Sequence, residues 1–311
     1  MIQPKATKRS TRGFGALSML VGALALVLAF GAGVYVEKRN APPPPPVQPL
    51  SGNALRVMTY NIRIDSSSDG DNAWRYRRDL VASMIRFHQA DIVGAQEASH
   101  EMIADLEDRL EGYRWVGVGS NGGDSGATDP IFWRDSRLEL LDHETFWLSP
   151  TPSEPSTGWD AAFPRTVVYA HLRERETKLE LHVFNTHFDH RGSTAREHSA
   201  ELVAERVNHL PPDARVVLLG DLNTIPDSPP LKTLTDLTRL RDAYGLSLTG
   251  HFGPANSFMG FRESRWTGRR IDHIFVQNVV VQQHGILADE IDGRKPSDHF
   301  PVMAEILLKS P

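Results

Sequence analysis

From residue 55 onward, short apolar or alternating runs bounded by Gly, Asp and Pro are separated by amphipathic stretches. Runs of this length, rich in Val, Ile, Leu and aromatic residues, predict β-strands. They fall at 55–61, 91–96, 115–118, 130–133, 138–147, 166–172, 179–186, 216–220, 271–276, 279–287 and 302–308. Helical spacing predicts helices at 75–88, 101–110 and 194–210. In the last, Ser193 is placed to cap the start, Leu202, Val203, Val207 and Leu210 form the apolar stripe, and Pro211 and Pro212 close it. So many strands with so few helices do not suit a regular βα barrel. The pattern predicts an α/β domain in which two packed sheets are flanked by helices.

The first 53 residues follow a different pattern. Phe14 to Val36 is an uncharged stretch rich in Leu, Ala, Val and Gly, preceded by Lys5, Lys8, Arg9 and Arg12. At about 1.5 Å per residue, a helix of that length covers a hydrocarbon core of about 30 Å. Ala29 and Gly31 offer a weak cleavage site, but the apolar run continues past them, which favours an uncleaved signal anchor over a signal peptide. The basic residues before it place the N-terminus in the cytoplasm and the rest of the chain outside. Pro42 to Pro46, followed by Pro49, predict an extended polyproline spacer. The expected organisation is a basic cytoplasmic tail at 1–13, an anchor at 14–36, a Pro-rich linker at 37–53 and a folded domain at 54–311.

Composition narrows the chemistry. With no cysteine in 311 residues there is no disulfide, thiol nucleophile or iron–sulfur cluster. The net charge of −5 conceals a division: the first 50 residues hold six basic residues and one acidic, which leaves 28 basic and 38 acidic beyond them, a balance of −10. Such an acidic body is a poor non-specific binder of polyphosphate, because Lys and Arg supply most of that affinity.

Polar groups recur where the predicted strands end. Asn61 closes the first; Gln96 and Glu97 follow the second; Asn185, Thr186, His187, Asp189 and His190 follow 181–184. Asp221 and Asn223 follow 216–219, Asp272 and His273 follow Ile271, and Ser297, Asp298 and His299 precede the last strand. Any one of these reads as an ordinary turn residue. Together they supply carboxylates, amides and imidazoles without one thiol, a donor set suited to a hard cation such as Mg²⁺, Mn²⁺ or Ca²⁺. The same groups are those that hydrolysis of a phosphoester requires.

Thr-Tyr-Asn-Ile-Arg at 59–63, Gln-Glu at 96–97, Asn-Thr-His at 185–187, Gly-Asp-Leu-Asn at 220–223, Ile-Asp-His-Ile at 271–274 and Ser-Asp-His at 297–299 resemble, in order and spacing, the endonuclease/exonuclease/phosphatase superfamily. The resemblance spans essentially all of 54–309 and implies a DNase I-like four-layered sandwich with its site at one edge of the two sheets. It implies that Asn61, Glu97 and Asp298 form the metal site for Mg²⁺ or Mn²⁺. His299 is similar to the catalytic histidine and Asp272 to the carboxylate that orients it. Asp221 and Asn223 match the pair that positions water and phosphate, and His187 matches a second histidine that contacts a phosphate oxygen. Either His299 or Asp221 takes the water proton; His299 is favoured here because imidazole titrates near neutral pH. Arg165 is read either as a phosphate contact or as one half of a structural ion pair. Asp189 is read as a supporting group, His190 as either a supporting group or, the preferred reading, an ordinary structural residue, and Trp74, Trp133 and Trp147 as packing. Ala127 stands where several relatives carry a glutamate after a glycine.

Superfamily motifs identify a reaction and leave the substrate open. Arg270, Ile271, Asp272 and His273 do not fit the Pro-Ala-Trp and Asp-Arg pattern of inositol-polyphosphate 5-phosphatases. The expectation is a metal-dependent phosphodiesterase or phosphomonoesterase, membrane-anchored and extracytoplasmic, acting on a small or lipid-linked phosphoester. An extracytoplasmic nuclease is second, and a non-catalytic binding member third.

Overall fold

Every strand expected from the pattern forms, and two very short ones join them. In a computed structural model, which describes residues 54–261 and 269–308, the strands are β1 (Leu55–Asn61), β2 (Ile92–Gln96), β3 (Tyr113–Val116), β4 (Ile131–Arg134), β5 (Leu138–Trp147), β6 (Thr166–Glu174), β7 (Glu180–His187), β8 (Val216–Asp221), β9 (Arg241–Asp242), β10 (His251–Phe252), β11 (Asp272–Gln277), β12 (Val279–Ile286) and β13 (Val302–Leu308). One sheet has the order β10-β12-β13-β1-β2-β4-β3, the other β5-β6-β7-β8-β11-β9. Each sheet is mixed: β1 pairs in parallel with β2, and β7 with β8, beside antiparallel neighbours.

Three apolar clusters define four layers. Between the sheets, Val57, Ile92 and Ile306 of the first pack with Leu172, Val183, Val217 and Ile274 of the second. Outside the first sheet, α1 (Trp74–Phe87) and α2 (His100–Glu107) bury Val81, Ile85, Ile103 and Leu106 against Met58, Val93 and Phe132. Outside the second, α3 (Ser193–Asn208) and α4 (Pro229–Leu237) bury Val203, Val207, Leu231 and Leu234 against Phe184 and Leu218. A short α5 (Ala243–Leu246) follows β9.

The sheets approach closely at Gly94. A Cβ there would lie 2.6 Å from Asn185 Cγ and 3.0 Å from Leu219 Cβ of the opposite sheet. Asn185 uses this gap: its Nδ2 donates to the carbonyls of Ala95, Asp129 and Pro130, and its Oδ1 accepts from Gln96 Nε2 at 2.7 Å. Gln96 also reaches Thr59 Oγ1 at 3.0 Å. This buried polar joint fixes one sheet's position on the other.

Some local expectations change. Ser193 is inside α3 and does not cap it; Asp160, from a distant loop, accepts from the backbone N–H groups of Thr194 and Ala195. Pattern reading passed over α4, although Ser228-Pro229-Pro230 is a helix-start signal, with proline at a position that needs no backbone donor. The third strand begins at Tyr113 and stops before Gly117, whose φ of 152° suits glycine. Among the described residues no helix is long and apolar enough to cross a membrane. The expected tail, anchor and linker at 1–53 lie outside them.

Candidate active site

Both sheets end at one cleft of about 640 Å³. From the first sheet come Asn61 at the end of β1, Glu97 just after β2, and Asp298 and His299 just before β13. From the second come His187 ending β7, Asp221 ending β8 and Asp272 opening β11. Register accounts for the meeting: Asp221 pairs with both His187 and Asp272 across neighbouring strands.

Asp221 is at the centre. Its Oδ2 accepts from Asn61 Nδ2 at 3.0 Å and lies 3.7 Å from His299 Nε2 and 3.5 Å from His187 Nε2. Its Oδ1 accepts from the backbone N–H of Asn223 at 3.0 Å. The other ring nitrogen of His299, Nδ1, lies 2.8 Å from Asp272 Oδ2. Ser257 Oγ holds Asp272 in place by accepting from the N–H groups of Ile271 and Asp272, both at 3.1 Å. Phe258 packs its ring 4.8 Å from that of His299.

Electrostatics divide these groups. Burial alone would push His299 down, but the Asp272 and Asp221 charges outweigh it and hold the imidazole up at about 10. Burial, and then the Asp272 charge, raise Asp221 to about 7. His187 is depressed well below its ordinary value by burial and by Arg165 and His299, so its approach to Asp221 is a contact of a neutral ring. Asn223, at a left-handed φ of 48°, lies with Nδ2 2.9 Å from His187 Nε2 and donates to the Phe188 carbonyl at 2.9 Å. Such strain on a non-glycine residue persists where surrounding bonds over-determine it.

On the other side of Asn61 are two acids. Asn61 Nδ2 also donates to Glu97 Oε1 at 3.0 Å, and Glu97 Oε2 accepts from the Ile64 N–H at 2.9 Å. Glu97 also adopts a left-handed φ, of 65°. Burial lifts Asp298 above the usual carboxylate range, and Glu97 adds to it, against the opposing charges of His299, Arg63 and Arg77. Two carboxylates lining one cleft are oxygen donors of the kind that a divalent cation takes. The oxygen and nitrogen atoms of Asp221, Asp272 and His299 also lie within 4.8 Å of one another. There, however, the Asp272–His299 hydrogen bond occupies the facing atoms. Glu97 and Asp298, with Asn61 donating to Glu97, are the other residues here that could hold a cation.

The expected residues thus converge, with differences in detail. Arg165 forms the ion pair that was one of its two readings: its Nε donates to buried Asp189 at 3.4 Å while Nη2 lies 3.2 Å from His190 Nδ1, and its side chain also lines the cleft. Asp189 supports it, held by the N–H groups of Ala162, Arg191 and Gly192. Ala127 lines the cleft, whereas Trp74, Trp133 and Trp147 are buried packing residues. Gln96 and Asn185 turn away from the cleft into the joint between the sheets. Sequence reasoning assigned no role to Arg63, which lines the cleft and pairs with Asp69 at 2.9 Å. Arg269 and Phe163 at the rim were also passed over.

An acid–histidine line at the ends of two packed mixed sheets is a set of groups that hydrolysis of a phosphoester can use. Residues 58–299 match the Endonuclease/Exonuclease/phosphatase family, and the chain belongs to it. Its members are hydrolases that act on phosphoester bonds, nucleic acids among them. A family protein of Bacteroides thetaiotaomicron is 34% identical, superposes with a TM-score of 0.79 and covers 83% of this chain and 98% of that one. A mannosyl-6-phosphatase of the same organism is 34% identical, with a TM-score of 0.78 over 82% of this chain and 100% of that one. An uncharacterised protein of Acanthamoeba polyphaga mimivirus is 29% identical over 161 residues, 49% of this chain and 59% of that protein.

Proposed function

We propose that the chain is a Mg²⁺- or Mn²⁺-dependent phosphoesterase that hydrolyses a small or lipid-linked phosphoester outside the cytoplasm, with phosphorylated sugars the first class to test. The observation that carries this reading is the His299–Asp272–Asp221 line on the wall of a cleft of about 640 Å³, a volume suited to a small molecule. Phe163, Arg165 and the loop around Gly126 wall that cleft, where a nuclease needs an extended basic track, and the body carries a balance of −10. The likeness to a mannosyl-6-phosphatase points the same way.

Glu97 and Asp298 would hold the cation, which when bound supplies a Lewis acid for the phosphoryl group. Asp221, titrating near neutral pH and fixed by Asn61 and the Asn223 N–H, takes the proton of the attacking water. His299, kept protonated by Asp272, faces the charge that builds on the phosphoryl oxygens. This assignment reverses the preference for His299 as base that its residue type suggests. Asn223 and His187 orient the phosphate, and Arg165 contributes charge at the rim. The N-terminal stretch supports a membrane anchor with the catalytic domain held outside the cytoplasm.

A panel of sugar phosphates, phospholipids and plasmid DNA, assayed with Mg²⁺, Mn²⁺ or EDTA, tests the activity. Hydrolysis of a small phosphomonoester above DNA, lost in EDTA, is expected. DNA cleavage exceeding every small phosphoester would overturn the substrate class, and EDTA-insensitive turnover the metal. Intact mass of membrane-fraction protein tests the anchor; a mature chain beginning near residue 32 would show that the segment is removed.

A further inference from the structure

Arg77 is a buried cation that the chemistry above does not use. It is in the first turn of α1, is 1% exposed, and packs under the rings of Trp74 and Phe261 at 5.6 and 5.5 Å. Its guanidinium donates to four main-chain carbonyls. Nη1 bonds Ile62 at 2.7 Å and Pro296 at 2.9 Å, Nη2 bonds Arg63 at 3.0 Å, and Nε bonds Asn72. A buried charge is costly unless its surroundings satisfy it, and here carbonyls do so.

The identity of those carbonyls gives the residue a role. Ile62 and Arg63 directly follow Asn61; Pro296 is two residues before Asp298. The two segments are far apart in sequence, and Ser297 adds a second tie between them by donating to the Asn61 carbonyl at 2.7 Å. We propose that Arg77 is the positioning residue of the metal site, a fork that clamps the Asn61 and Asp298 segments at the spacing a divalent cation needs. The clamp rests on the metal reading above. Its planar donors reach carbonyls in two directions at once, which a lysine ammonium on a flexible stem does not reproduce.

Residues that orient metal ligands alter affinity by about 10- to 100-fold when removed. Full-length protein carrying Arg77→Lys or Arg77→Gln, titrated with Mn²⁺ and followed by the electron paramagnetic resonance signal of the free ion, tests the clamp. Binding weakened about tenfold or more in folded protein is expected, with activity recovering as Mn²⁺ is raised to saturation. Arg78→Ala, which removes only a surface pair with Asp105, should leave Mn²⁺ affinity unchanged. A purely structural Arg77 would lower the melting temperature in EDTA but leave the Mn²⁺ affinity of the folded fraction at the wild-type value, and that result would overturn the proposal. Wild-type protein that takes up no Mn²⁺ would overturn the metal reading and the clamp together, whereas equal affinity in wild type and variants overturns the clamp alone. Should both Arg77 variants fail to fold, Ser297→Ala gives the deciding measurement, because it cuts the second tie between the same segments; unchanged affinity there would overturn the clamp.

Discussion

Asp272→Asn isolates what holds the His299 imidazole in its charged form. In the native site the imidazole stands at about 10 against an ordinary 6.5, despite burial that pushes the other way. At 1.36 kcal/mol per pH unit, the rise is worth about 5 kcal/mol in favour of the imidazolium. Asp272 is the nearer carboxylate, at 2.8 Å against 3.7 Å for Asp221, and the stronger influence. Its neutral isostere should remove at least half of that and bring the imidazole to about 8 or below. Nitrogen–proton NMR of the metal-free protein reads this directly: near pH 9, His299 should be charged in wild type and mostly neutral in the variant. The kcat should fall by about 10²–10⁴, the range associated with a positioned acid or base. Stability supplies a second readout. Because the folded value lies above the unfolded one, the contribution of His299 is complete below pH 6.5 and is lost as pH rises towards about 10. Wild type should therefore lose melting temperature over that window, and the variant much less. An imidazole still protonated near pH 9 in Asp272→Asn, or already neutral near pH 8 in wild type, would refute the assignment.

Two other substitutions probe the frame of the site. Asp298→Asn removes a carboxylate whose ionised form burial and Glu97 disfavour, so the melting temperature in EDTA should rise above that of wild type. The stabilisation that Mn²⁺ gives wild type should vanish in this variant; a variant still stabilised by Mn²⁺ would count against Asp298 as a ligand. Gly94→Ala forces a methyl group against Asn185 and Leu219, with an expected loss of about 1–3 kcal/mol in urea unfolding. Unfolding at the wild-type urea midpoint would show that the sheets separate freely there.

Much of the site was legible because its chemistry sits on strand ends, where periodicity marks the boundary and the first polar residue stands out. Asn61, His187, Asp221 and Asp272 all declared themselves in that way. The same signal also selected Gln96 and Asn185, which serve the joint between the sheets. Successive side chains on a strand point to opposite faces, and residue type alone does not say which face meets the cleft. Arg77 was hidden for a different reason. It is flanked by Arg75 and Arg78 at the start of an amphipathic helix, and one of the carbonyls that satisfy it, that of Pro296, is more than 200 residues away. The cap that Asp160 places on α3 is likewise a tertiary contact, invisible to a search for local capping residues. Protonation states were the least legible, since His299 and Asp221 take theirs from neighbours that only the fold brings within 4 Å.

The cleft is built from two kinds of material. Its reactive groups stand on or beside strands locked by the Asn185–Gln96 joint, whereas its rim is formed by loops carrying Ser120, Asn121, Gly126 and Phe163. Those loops can change length and composition without disturbing the spacing of the reactive groups. Divergence of this scaffold toward new phosphoesters therefore needs no reinvention of the hydrolytic step. For an engineer, the rim is the place to build a library, and the sheet joint is the place to leave alone.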